Sequence, residues 1–159
     1  MRWAGAADLR FAAHIAIVPH CGWIPRELAT TGSPILFLLA ELDDQSPPDD
    51  CVRHADRLRK AGNPDVAVHL YKGVHHGWEV LGAVPHFDRR AENFAKCRAI
   101  LDEDGTSTAP DGTLVPANKS RAWAEATCIT LGGWCCGGNE AHKTRATGDV
   151  VDFLRKHGF

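Results

Sequence analysis

Two aspartates stand side by side in "AELDDQSPPDDC" and two histidines in "YKGVHHGW", each pair directly after an apolar or half-apolar run. In a parallel sheet, loops at the carboxyl ends of the strands hold the reactive groups. An aspartate after one strand and a histidine after the next form an acid–base pair, in which the carboxylate fixes the imidazole tautomer and stabilises the imidazolium. Asp43 and His76 are the candidates for these roles. A plainer reading stands beside this one: Asp43 and Asp44 precede a helix and would favour its N-terminal dipole, and the histidines would be loop polarity.

A base implies a nucleophile. The sequence contains no Gly-x-Ser-x-Gly, but "TCITLGGWCCGGNEAHK" offers an extended run, then Gly133-x-Cys135-x-Gly137-Gly138, then a helix. A thiol on such a turn, close to a helix N-terminus, has the setting of a nucleophilic cysteine. Cys135 is therefore the candidate nucleophile of a small thiol hydrolase, in the unusual order acid, base, nucleophile. A metal site built from Cys135, Cys136 and the histidines has no ligand spacing to recommend it, and no cofactor motif is present.

The elements that must position these groups follow from the apolar pattern. "FAAHIAIVPHC" and "SPILFLLAELDD" are short, nearly continuous apolar runs that suit strands buried on both faces. "SPPDDCVRHADRLRKAGNP" predicts a helix with Asp49 or Asp50 as N-cap, an apolar face of Val52, Ala55 and Leu58, and a stop at Gly62 and Pro64. "DVAVHLYKG" predicts a third strand, which completes a right-handed βαβ unit. Residues 102–120 are rich in Gly, Pro, Asp and Ser and predict a long polar loop. The last helix carries Val150, Val151, Phe153 and Leu154 as one stripe and ends at Gly158.

At 159 residues, with 44% hydrophobic and 24% charged residues, the chain has the length and composition of one globular domain, 1–159. A net charge of -2 without a basic cluster gives no electrostatic footprint for nucleic acid. No apolar run reaches the roughly 18 residues of a membrane helix, and "MRWAGAADLR" lacks the apolar centre of a signal peptide. Six cysteines without a C-x-x-C motif lean towards an oxidising compartment. That compartment would be periplasmic or extracellular if a signal lies upstream, and otherwise cytoplasmic. Cys21 and Cys51 flank neighbouring strand ends and are expected to pair, as are Cys97 and Cys128, with buried free thiols as the alternative.

The aspartate segment resembles the Gly-Glu-x-Asp-Asp-x-x-Pro segment of the dienelactone hydrolase family within the α/β-hydrolase superfamily. The histidine segment resembles that family's Tyr-Pro-Gly-Ala-x-His-(Ala/Gly)-Phe, and "RFAAHIAIVPHC" resembles its sixth strand. Ala40, Lys72 and Trp78 replace a glycine, a proline and a phenylalanine. The resemblance runs from about residue 10 to the C-terminus. It implies Asp43 as catalytic acid and His76 as catalytic base, cleaving a small-molecule ester or lactone through an acyl-enzyme.

It also implies an α/β fold that is a partial α/β-hydrolase: about three mostly parallel strands with flanking helices. The N-terminal strands, the nucleophile elbow and the oxyanion loop are expected to be absent, so that the chain alone is a poor catalyst. In this frame residues 128–159 resemble the family's own closing segment and Cys135 is a decoy. The open sheet edge left behind would favour self-association, and a non-catalytic binding or assembly module is the competing expectation.

Overall fold

The computed structural model describes residues 11–28, 30–80 and 82–159. The segment 1–10, read above for the absence of a leader, lies outside the described residues. In chain order the elements are β1 (His14–Ile17), β2 (Trp23–Pro25), β3 (Ile35–Ala40), α1 (Pro48–Lys60), β4 (Val66–Tyr71), β5 (His86–Asn93), β6 (Ala99–Leu101), β7 (Ser107–Thr108), β8 (Leu114–Val115), α2 (Ser120–Thr127), β9 (Thr130–Cys135) and α3 (Glu140–Lys156). The fold is mixed α/β.

Its centre is a three-stranded parallel sheet in the order β1-β3-β4, with Ile35 opposite both His14 and Val66. The continuous apolar run "ILFLLA" makes β3 the middle strand, because successive side chains go to opposite faces and both faces are covered. Leu36, Leu38 and Ala40 pack with Tyr71, Val74 and Trp78 against Ala146 and Phe153 of α3. Phe37 and Leu39 pack on the other face with Cys51, Ala55 and Leu58 of α1. Helix, sheet and helix thus form three layers around the three strands expected from the sequence.

Details of the helices differ from the sequence reading. α1 starts at Pro48, with Pro47 as N-cap and no side-chain cap, so Asp49 and Asp50 lie in its first turn and act on the dipole instead. Cys51, not Val52, completes the buried face with Ala55 and Leu58, and Val52 is exposed. α3 is capped by the Asn139 side chain, which accepts from the His142 backbone N–H. Its inward stripe is the buried Ala146 and Phe153 with the partly buried Val150 and Leu154.

The expected count of about three strands is too low, since two more sheets complete the chain. β2, β6, β7 and β8 form a small sheet, and β5 pairs with β9 as an antiparallel ribbon that is irregular between Asp88 and Glu92. The polar stretch 102–120 holds β7, β8 and a 3₁₀ turn (Ala117–Lys119) instead of one open loop. Two short turns shape it: the Asp104 carboxylate accepts from the Thr106 N–H at 2.8 Å and Asp111 from the Thr113 N–H at 2.9 Å.

All six cysteines are paired. Cys21–Cys51 ties the end of β1 to α1, and Cys97–Cys128 ties the approach to β6 to the end of α2, each with a Cα–Cα separation of 5.0 Å. Both are the pairings expected from the sequence. The third pair, Cys135–Cys136, joins adjacent residues.

Candidate active site

The loops after β3 and β4 are tied to each other by backbone hydrogen bonds. The Glu41 N–H donates to the Tyr71 carbonyl and the Leu42 N–H to the Val74 carbonyl, both at 2.9 Å. The Glu41 carboxylate also accepts from the Gly73 N–H at 2.9 Å, which pulls the start of the histidine loop against the aspartate loop. Parallel neighbours therefore deliver Asp43 and His76 to one place despite 33 residues of separation.

Asp43 is buried, at 5% exposure. One carboxylate oxygen accepts from the backbone N–H groups of Gln45 (3.0 Å) and Ser46 (2.7 Å), and the other lies 2.9 Å from His76 Nδ1. Three donors converge on the group, so its orientation is fixed. A carboxylate acceptor puts the His76 proton on Nδ1 and leaves Nε2 with a free lone pair. This is the tautomer a general base requires.

The hydrogen bond to Asp43 raises the His76 pKa above its ordinary value, against the opposing effect of partial burial, and the charges of Asp43, Glu79 and Asp44 add to the rise. Gly77 follows with φ of 71°, a left-handed conformation that turns the chain sharply away from His76 into the buried Trp78. The neighbouring carboxylate and imidazole have different duties. Asp44 accepts from the Trp134 N–H at 2.9 Å, and His75 Nδ1 donates to the Leu42 carbonyl at 3.0 Å while its ring stacks on Trp134 at 5.4 Å. Asp44 and His75 hold the loops, and Asp43 and His76 form the pair.

The ribbon of β5 and β9 is the part of the site that sequence reasoning missed. His76 lies opposite Cys135 in a parallel bridge, the Cys136 N–H donates to the His76 carbonyl at 2.7 Å, and the His75 N–H donates to the Cys136 carbonyl at 3.2 Å. Gln45 Nε2 donates to the Trp134 carbonyl at 2.9 Å, so the aspartate loop is held by the same strand. Strand β9 runs into α3 through a glycine-rich turn, as its sequence suggests. Cys135 sits at its end beside the histidine loop, but its sulfur is bonded to Cys136, so in this state it carries no thiol.

His20, just after β1, is a further, half-buried imidazole. Burial lowers its pKa and the nearby Arg98 adds to the effect, against the raising influence of Asp50 and the Cys97 backbone. Its ring lies 5.6 Å from that of Phe94. Among the described residues, no three His, Cys, Asp or Glu side chains come together as a metal site. No helix among them is long and apolar enough to cross a membrane. No family model matches the sequence, and neither a curated protein nor a solved structure does.

Proposed function

We propose that the chain is a hydrolase of the dienelactone hydrolase type, with an α/β-hydrolase arrangement of its parallel strands, acting on a small ester or lactone. The observation that carries this reading is the 2.9 Å contact between buried Asp43 and His76 Nδ1 at the ends of adjacent parallel strands. His76 Nε2 takes the proton of the attacking group and returns it to the leaving alcohol. Asp43 holds the ring and stabilises the imidazolium. The sequence holds no Gly-x-Ser-x-Gly, and the sulfur on its Gly133-x-Cys135-x-Gly137 turn is bonded to Cys136, so among the described residues the pair supplies proton transfer without a free nucleophile beside it. Turnover by these residues alone is therefore slow.

A second reading rests on the bridge between His76 and Cys135. With the Cys135–Cys136 bond reduced, the Cys135 thiol would be the nucleophile and His76 its base.

Hydrolysis of a short-chain p-nitrophenyl ester tests both. The first reading expects slow turnover by the oxidised chain that falls by about 10²-fold or more in His76→Ala, the ordinary share of a general base. Equal rates for the parent and His76→Ala would refute it. The second expects turnover to appear only after reduction and to vanish in Cys135→Ala.

A further inference from the structure

The three disulfides differ in what they can do for the fold. Cys21–Cys51 and Cys97–Cys128 close loops of 30 and 31 residues, which restricts the unfolded chain. Cys135–Cys136 has a sequence separation of one. It closes no loop, so chain entropy gives no account of it. Accessibility separates them again: Cys21, Cys51, Cys97 and Cys128 are all buried, whereas Cys135 is partly exposed beside a buried Cys136.

The backbone around this pair is also unusual. Cys136 has φ of 76°, a left-handed conformation that non-glycine residues rarely adopt. Its N–H and carbonyl are both engaged by the histidine loop, at 2.7 Å to the His76 carbonyl and 3.2 Å from the His75 N–H. The pair is thus held in a constrained backbone, with the partly exposed Cys135 across the bridge from His76.

We propose that Cys135–Cys136 is a thiol–disulfide exchange site for a low-molecular-weight thiol, with Cys135 the sulfur attacked and Cys136 the leaving sulfur. The external thiolate bonds to Cys135 Sγ as the Cys135–Cys136 bond breaks. The bond pair passes to Cys136 Sγ, which takes a proton to become a thiol. A second external thiolate then attacks the thiol-derived sulfur of the mixed disulfide, forming the external disulfide and releasing Cys135, which is protonated in turn. The net change is one protein disulfide reduced by two electrons and two external thiols oxidised to a disulfide. This inference stands whether or not the Asp43–His76 pair serves an ester, because it rests on the cysteines alone.

The test uses the native, folded chain with reduced glutathione in the absence of oxygen. Newly formed thiols are alkylated at intervals and located by peptide mass spectrometry. Thiols at Cys135 and Cys136 should appear at least about tenfold faster than at the four buried cysteines, since exchange follows access to the attacked sulfur. In Cys136→Ser, which has no resolving sulfur, oxidised glutathione should leave a mixed disulfide on Cys135. Reduction of all three bridges at one rate, or Cys135–Cys136 outlasting the other two, would overturn the proposal. So would a folded, air-oxidised parent chain in which Cys135 and Cys136 are already alkylated as free thiols. The parent chain decides between these outcomes even if the serine variant fails to fold.

Discussion

His76 Nδ1 lies 2.9 Å from the outer oxygen of Asp43, while the inner oxygen is held by the Gln45 and Ser46 N–H groups. The carboxylate is thus aligned by backbone donors independently of the imidazole, which meets a fixed partner. The hydrogen bond raises the histidine's pKa above its ordinary value. Because the folded value lies above the unfolded one, the pair's contribution to stability is complete below about pH 6.5 and fades as pH rises through the folded value. Base function has the opposite sign: it needs the neutral ring and grows through that same range. Histidine titration followed by NMR should give His76 an apparent pKa above 6.5. Asp43→Asn should lower that pKa and move the pH profile of any esterase activity down with it. An unchanged titration in Asp43→Asn would contradict the pairing.

Tyr71 and Asp149 tie α3 to the sheet. The Tyr71 hydroxyl, on a fully buried ring, donates to Asp149 Oδ2 at 2.6 Å, and His69 Nδ1 reaches the same oxygen at 3.1 Å. Arg145 lies over the Tyr71 ring at 5.3 Å. Asp149→Ala leaves the hydroxyl without this partner and should cost about 1–3 kcal/mol by urea unfolding. The exposed Asp152→Ala, on the same helix, is expected to stay within about 0.5 kcal/mol of the parent.

Two glycines should respond to alanine with opposite signs. A Cβ on Gly138 would lie 1.7 Å from the Trp78 carbonyl oxygen, so the turn between β9 and α3 would have to move away from the segment after His76. Overpacking of this kind costs about 1–3 kcal/mol, and against rigid backbone the upper end applies. Gly148, inside α3 with open space around it, has no such contact. There alanine should stabilise by about 0.5–1 kcal/mol through the lost flexibility of glycine. Thermal unfolding of the two variants beside the parent checks the signs.

Replacing both Cys21 and Cys51 by serine should cost about 2–5 kcal/mol, since the bridge closes a long loop between β1 and α1. The same change at Cys135 and Cys136 should cost much less, because adjacent cysteines close no loop. Comparable losses in chemical denaturation would show that the adjacent pair is structural.

How much of this was legible depends on the physics of each segment. Strand β3 shows as a continuous apolar run because layers cover both its faces, whereas β1 and β4 flank it with side chains left partly exposed, Ile15 and Ile17 among them. The expectation of strands buried on both faces therefore holds for β3 alone. Asp43 and His76 stand out as polar residues after β3 and β4. β5, "HFDRRAEN", is half exposed and broken between Asp88 and Glu92, so it has neither a continuous run nor a clean alternation. Its partner β9 carries Gly132 and Gly133, which read as a turn. The two- and three-residue strands β2, β6, β7 and β8 are too short for any period to show. Hence the placement of Asp43 and His76 at neighbouring strand ends was readable, and the ribbon that clamps their loops was not. The adjacent pairing of Cys135 and Cys136 has no spacing rule that would reveal it.

The outer edge of β1 is the last element with a measurable consequence. Among the described residues no strand pairs with β1 on the side away from β3, and Ile15 and Ile17 are 39% and 45% exposed. Ile17 also borders an apolar groove of about 170 Å³ with Leu38, Trp78, Ala146 and Val150. An edge left open among the described residues, with no lysine or proline along it, pairs readily with a second copy. The chain should therefore associate as its concentration rises, and analytical ultracentrifugation should show the average mass climbing across the micromolar range. Ile17→Lys places a charge on the edge strand and in the mouth of the groove, and should return the protein to a monomer without loss of secondary structure. A parent chain that stays monomeric throughout, or an Ile17→Lys variant that associates equally, would exclude β1 as the contact.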